Sequence, residues 1–252
     1  MESTPVPETD HGLANPPANE ILSIQLRPDG LSFAYREGEE VKSATIHIPA
    51  EKVLTGFDFV FSAAEWPSKT FSSVRVCVPT DAAVLIPAAL TRPENDTEFF
   101  ASLGYPDDPG ARIFAQSVPE GRVLLHGVCE MVFQPLFDKY GEKVTFYHPL
   151  AVNLAQPETN ETVLSVDWAG GYACHTLRKE NQLLFCDVFP GENPADVLFQ
   201  VNRIVVSNKI GAFRTVCSGD QAGALRETLS AHYRNVELHP DGEDRNLLFP
   251  FR

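Results

Sequence analysis

The stretch LSVDWAGGY (164–172) carries the residue types best placed to do chemistry. An alternating apolar–polar run reaches Asp167, and Gly170 and Gly171 follow shortly after. Alternation of this kind predicts a strand, and paired glycines predict a tight turn. A carboxylate at a strand end can hold a metal ion or orient water. A glycine turn lets backbone N–H groups approach a phosphate closely. The same residues also make an ordinary β-turn, so the pattern alone leaves both readings open.

Other reactive residues are less well arranged. His126 and Cys129 lie three apart, but Leu124, Leu125 and Val128 around them predict core or a helix start. Cys174 and His175 are neighbours on a strand and point to opposite faces. His148, before Pro149, reads as a loop or helix-cap residue. The chain has no GxSxG, HExxH or GxxxxGK[ST] pattern, which removes the common hydrolase, zinc-protease and P-loop readings. Five cysteines (77, 129, 174, 186 and 217) lack CxxC spacing and sit among apolar residues. They are expected to be buried, reduced thiols of a cytoplasmic protein, with no metal site.

Lys and Arg number 20 against 34 Asp and Glu, a net charge of −14. The basic residues are scattered singly, which argues against nucleic acid and against an anionic membrane as partner. No window approaches the length of a membrane span, so no membrane insertion is expected. Residues 1–20 contain four prolines and no apolar core, and read as a disordered lead-in. Phe57, Phe59 and Phe61 read as a core segment.

The elements that must position Asp167 occur twice. LSIQL (22–26) matches LSVDW (164–168), 142 positions on. Each copy is followed by a turn (PDG at 28–30, AGG at 169–171), a second β-rich run and a third run closing at Pro49 or Pro190. Those prolines are 141 apart, which suggests one residue lost from a turn. VRVCVPTD (74–81) parallels FRTVCSGD (213–220) at an offset of 139. Each half therefore reads as a three-strand meander, a helix and a further buried strand. Asn193, Pro194 and Asp196 predict a helix start, and Val197, Val201 and Ile204 its apolar face. Lys209 and Gly211 mark its end. Strand 213–217, helix 220–233 and a short strand 235–238 follow. Between 82 and 150 the pattern predicts strand 82–86, a helix near 99–103 and the hairpin 111–127 about Pro119-Glu120-Gly121. Helix 129–140, bent or shortened by Pro135, and strand 143–147 complete that half. The boundaries expected are 1–20 for the lead-in, 21–156 for the first half and 157–252 for the second. The apolar exit NLLFPFR (246–252), after the charged DGEDR (241–245), is expected to dock on its own domain.

A duplicated β-β-β-α-β-α-β plan resembles the actin-like ATPase superfamily, the ribonuclease H-like fold of actin, Hsp70 chaperones and sugar kinases. LSIQLRPDGLSF (22–33), FYHPL (146–150) and LSVDWAGG (164–171) also look similar to a family of uncharacterised bacterial proteins with that fold. The resemblance implies an α/β fold of two ribonuclease H-like halves with a cleft between them. In that superfamily the first turn of each half wraps ATP phosphates, an acid ends each first strand, and a glycine-rich turn meets the adenosine. Carried over, the nucleotide-binding candidates are Asp167, Gly170 and Gly171, with Ser218-Gly219 as the adenosine turn. The first half departs from this pattern. Gln25 replaces the acid, and Arg27-Pro28-Asp29-Gly30 places a residue without N–H in the turn. Losing one carboxylate removes much of the charge neutralisation that phosphoryl transfer needs. The expected function is accordingly a non-catalytic pseudo-ATPase module, a scaffold for an unknown protein partner, with no catalytic residue and no cofactor. Asp167 would then serve local structure by accepting hydrogen bonds from the 169–171 amides. The alternative is an ATPase or kinase binding Mg–ATP in the cleft through Asp167 and either Asp29 or Asp187.

Overall fold

The computed structural model describes residues 21–49, 56–92, 96–103, 111–156 and 159–251. The lead-in expected to be disordered, and part of the seam near 157, lie outside the described residues.

In the first half, strands β1 (Ile21–Arg27), β2 (Gly30–Glu37) and β3 (Glu40–His47) form the expected antiparallel meander. Strand β4 (Ser73–Cys77) pairs parallel to β1, and β8 (Val144–Tyr147) pairs parallel to β4. The sheet order is β3-β2-β1-β4-β8. Between β4 and β8 the chain makes a second, three-stranded antiparallel sheet. It consists of β5 (Ala83–Pro87), β6 (Arg112–Val118) and β7 (Arg122–Val128), in the order β5-β7-β6. Helices α1 (Gly56–Phe61), α2 (Asp96–Ser102) and α3 (Glu130–Tyr140) belong to this half, and α4 (Pro149–Leu154) leads out of it.

The second half repeats the plan. Strands β9 (Thr162–Ala169), β10 (Tyr172–Lys179) and β11 (Gln182–Pro190) form the meander. Helix α5 (Pro194–Ser207), β12 (Arg214–Ser218), α6 (Ala222–Ser230), β13 (Val236–Leu238) and the short α7 (Arg245–Leu248) follow. Its sheet order, β11-β10-β9-β12-β13, matches the first sheet strand for strand.

The register corrects two offsets expected from the sequence. Gln25 pairs with Cys77, and Asp167 pairs with Ser218. Cys77 is therefore the counterpart of Ser218, two residues from the alignment that matched 74 with 213. The ladder pairing decides this. A shift of two residues leaves alternate side chains on the same sheet face, so the apolar pattern alone fits both alignments. In β11, Leu184 has no partner, since Leu177 faces Phe185 and Arg178 faces Leu183. The second half has thus gained a bulge residue rather than lost a turn residue.

Local signals explain α5. The Asn193 side chain accepts from the N–H groups of Ala195 (3.0 Å) and Asp196 (3.1 Å), and Asp196 reciprocates, making a capping box. Val197, Val201 and Ile204 are buried under it, each worth about 2 kcal/mol of transfer free energy. Lys209, with φ +52°, turns the chain out of the helix. Pro135 does not shorten α3, which continues through it to Tyr140. Helix α6 is shorter than the expected 220–233.

Leu22, Ile24, Phe33, Val74 and Val76 pack with Val60, Phe133 and Leu136 as the first core. Leu164, Val166 and Trp168 pack with Val197, Val201, Leu225 and Leu229 as the second. Of the expected phenylalanine core segment, Phe57 and Phe61 pack against the first core while Phe59 is exposed. All five cysteines are free; Cys77, Cys174 and Cys217 are buried, but Cys186 is half-buried and Cys129 exposed. Cys129 differs from expectation because it caps α3, where the chain leaves the buried strand β7.

Candidate functional site

β1 and β9 are buried on both faces. One face of each carries the apolar core, and the period of two places Ser23 and Gln25, or Ser165 and Asp167, on the other. Those polar faces are covered by two short helices that cross between the halves. Helix α4, leaving the first half, packs on β9 and β10, with Leu150, Ala151 and Leu154 against Cys174 and Val188. Helix α7, following the second half, packs on β1 and β2.

Asp167 is fully buried at this crossing. Its Oδ2 accepts from the Ser218 hydroxyl (2.7 Å), and its Oδ1 accepts from Asn246 Nδ2 (2.8 Å). The Arg245 guanidinium, only 2% exposed, lies behind. Its Nη1 donates to Ser218 Oγ (2.8 Å) and to Asn153 Oδ1, and its Nη2 donates to the Val152 carbonyl (3.1 Å). Nη1 is 4.0 Å from Asp167 Oδ2, so cation and carboxylate meet through the Ser218 hydroxyl. Tyr147 adds a tie by donating its hydroxyl to the Asn246 carbonyl (2.6 Å). A buried charge needs a partner and hydrogen bonds. This network supplies the partner and bonds to both Nη atoms, leaving Arg245 Nε and Asn246 Oδ1 without one.

The expected hydrogen bonds from the 169–171 amides to Asp167 are not formed. The Gly170 N–H goes to Asp220 instead. Burial raises the Asp220 carboxyl to about 6, with Arg27 and that N–H pulling the other way. Gly170 (φ +60°) and Gly171 (φ +82°) form the two-residue turn, whose left-handed backbone suits glycine. A Cβ on Gly170 would lie 2.6 Å from Pro79 Cγ, so this turn is packed against the first half. Gly219 (φ +97°) is pressed against the Trp168 backbone, where a Cβ would lie 2.3 Å from its carbonyl oxygen. Ser218 and Gly219 are therefore both buried beside β9, and Ser218 belongs to the Asp167 network.

In the first half, Gln25 is buried and its amide nitrogen has no partner within the protein. Asp29 accepts from His47 Nδ1 (2.8 Å) and faces Arg27 (3.6 Å) at the exposed turn. These residues do not fit a metal-bound nucleotide. The acid is fully buried with a protein donor on each oxygen, its counterpart is an amide, and the glycine turn is packed against Pro79. Asp187 lies on β11 with an oxygen on the Val188 N–H (2.8 Å), away from the Asp167 network. Among the described residues, no three His, Cys, Asp or Glu side chains gather as metal ligands.

His148 is the N-cap of α4, as its sequence position suggested. Its Nδ1 accepts from the Leu150 N–H (3.0 Å), which leaves Nε2–H to donate to the Thr80 carbonyl (2.9 Å). His126 lies 5.7 Å from it, ring to ring, and is equally buried. Two cavities of about 200 and 320 Å³ lie beside Phe100 and Cys129 and beside Leu85 and Leu184. None of Asp167, Gly170, Gly171, Ser218 or Gly219 lines either.

Sequence reasoning missed Arg245, Asn246 and Asn153. Arg245 closes the acidic run 241–244, which reads as solvated surface, and only the apolar residues after it signal docking.

Comparison with known proteins agrees with this architecture. The family model "Protein of unknown function (DUF3822)" matches residues 14–212. No curated protein matches the chain. A Bacteroides thetaiotaomicron protein with an actin-like ATPase fold and unknown function is similar in structure, with TM-score 0.76 and 14% identity over 93% of this chain and 96% of that one. The PilM–PilN type IV pilus biogenesis complex gives TM-score 0.62 at 12% identity, covering 93% and 98%. The cytoplasmic domain of EpsL, an inner-membrane component of the Vibrio cholerae type II secretion system, gives 0.51 at 14%, covering 91% and 93%.

Proposed function

Because the chain belongs to the DUF3822 family and has an actin-like ATPase fold, we propose that it is a non-catalytic member of that fold, a pseudo-ATPase scaffold for a protein partner. One observation carries this reading: Asp167 is fully buried, with both oxygens already bonded to Ser218 and Asn246. An acid that binds a metal must be reachable from the cleft, which this burial does not allow, and phosphoryl transfer depends on such positioning. Gln25 opposite supplies no second carboxylate. A partner made of protein is supported by the similar folds found in a pilus-biogenesis complex and in a secretion-system component. Free thiols suit a reducing compartment, which supports a cytoplasmic location. Among the described residues, no helix is long and apolar enough to cross a membrane.

Titration calorimetry of the wild-type protein with Mg–ATP tests the reading. No heat of binding is expected at micromolar nucleotide. Micromolar affinity that disappears in Asp167→Asn would replace the scaffold by a nucleotide-dependent enzyme.

A further inference from the structure

The most unusual group in the molecule is the Arg245 guanidinium, which is almost wholly buried on a four-residue helix. Such a charge is not taken from water for packing alone, because desolvating it costs several kcal/mol. Its surroundings are a built receptor. Ser218 Oγ, Asn153 Oδ1 and the Val152 carbonyl each accept one of its N–H groups, and Asp167 stands one hydroxyl away. The acceptors come from two sources: Val152 and Asn153 lie on α4, and Asp167 and Ser218 on β9 and β12. Asn246, next in the chain, bonds Asp167 on one side and Tyr147 of β8 on the other.

We propose that Asp167, Ser218, Asn153 and the Val152 carbonyl form a guanidinium-binding site, whose ligand is an arginine side chain. In this protein Arg245 fills it, and so makes the segment 241–249 the clamp that holds the two halves together. The ligand class follows from the acceptors. A planar cation with N–H groups on two Nη atoms meets three oxygens at once and brings its charge within 4.0 Å of the carboxylate, whereas an ammonium presents one point of charge. The same cation neutralises Asp167, which otherwise would be a lone buried carboxylate. This inference rests on the structural role given to Asp167 above.

Chemical rescue in the full chain tests it. Arg245→Ala should lower Tm by on the order of 10 °C, because it leaves a buried charge unpaired. Methylguanidinium at millimolar concentration should restore part of that loss and leave the wild type unmoved. N-methylurea, of similar shape and neutral, should do neither. Absence of rescue, or equal rescue by the neutral compound, overturns the proposal. Should Arg245→Ala fold poorly, Asp167→Asn/Arg245→Ala supplies a second reading. It should be more stable than the single variant, and millimolar methylguanidinium should leave its Tm unmoved. A double variant no more stable than the single one also overturns the site. Mg–ATP calorimetry on the wild type is separate: nucleotide binding there removes the scaffold reading, while the rescue result still decides the guanidinium site.

Discussion

Gln25 and Asp167 hold the same place in the two sheets. Gln25 faces Ser32 and Cys77 across the ladders, and Asp167 faces Cys174 and Ser218. Both are buried, on the face opposite the apolar core. The duplication has thus kept a polar position in each half but charged only one. The charged copy requires a buried counter-ion, and Arg245 supplies it through Ser218. The neutral copy requires none. This asymmetry ties the fold to a single internal ion pair in place of two open carboxylates.

Asp167→Asn should therefore cost more than one hydrogen bond. From the sequence alone a loss of about 1 kcal/mol is expected, the scale of one such bond. The geometry raises this to about 3 kcal/mol, because the change leaves the Arg245 guanidinium buried without its carboxylate. Urea denaturation of the two proteins measures it. A loss within 1 kcal/mol would mean that Arg245 does not depend on Asp167.

The two turn glycines should respond differently to alanine. Gly171→Ala meets open space, so only its φ of +82° is strained, at a cost of about 1 kcal/mol. Gly170→Ala adds a contact of 2.6 Å with Pro79, part of the first half. Its cost should be at least about 2 kcal/mol, within the range for overpacking. Thermal unfolding of both variants, and of Gly170→Ala with Pro79→Gly, checks this. The second change should relieve part of the first, since only that pair is in contact.

The legibility of this molecule follows the range of the interactions that form each part. β1 and β9 are central strands whose dense apolar alternation appears twice in the sequence, and α5 carries its own caps, so these could be read locally. The hairpin β6–β7 was announced by its Pro119-Glu120-Gly121 turn. Helices α4 and α7, of six and four residues, are too short for a 3.6-residue period to register. They are held by bonds to distant residues, such as Arg245 to Asn153, 92 positions apart. The candidate site was half legible for the same reason. Asp167, Gly170 and Gly171 stood out in one stretch, while the groups that decide what Asp167 does come from β12, α4 and α7.

The thiols should separate by access. Cys129 is exposed at the start of α3, whereas Cys77, Cys174 and Cys217 are buried, and burial pushes all three thiols upward. Burial also pushes the half-buried Cys186 up to about 11. Because the thiolate is the nucleophile, iodoacetamide on the native protein should label Cys129 first. Mass spectrometry after a short pulse should find that site modified and the three buried ones untouched until urea is added. Early labelling of Cys77 or Cys174 would show that the interface between the halves opens.

Stability should fall as the pH drops below about 6.5, and the buried histidines set the direction. Burial lowers His126 to about 3, with neighbouring His148 adding to the effect, and burial lowers His148 and His175 to about 4. In the unfolded chain each titrates near 6.5. Below that pH the unfolded state takes up protons that the folded state refuses, so each neutral histidine withdraws stability as the pH falls. At pH 5 the loss is about 2 kcal/mol per histidine. Asp220 acts in the opposite sense. Its folded value near 6 lies above the unfolded one, so it returns about 1 kcal/mol over the same interval. The net slope is still set by the three histidines. Urea midpoints at pH 7.5 and pH 5 should differ by several kcal/mol in extrapolated stability. His126→Gln should flatten the slope by about one histidine's share, because an amide of similar size takes up no proton. A slope unchanged by that substitution would mean that His126 is not held neutral in the fold.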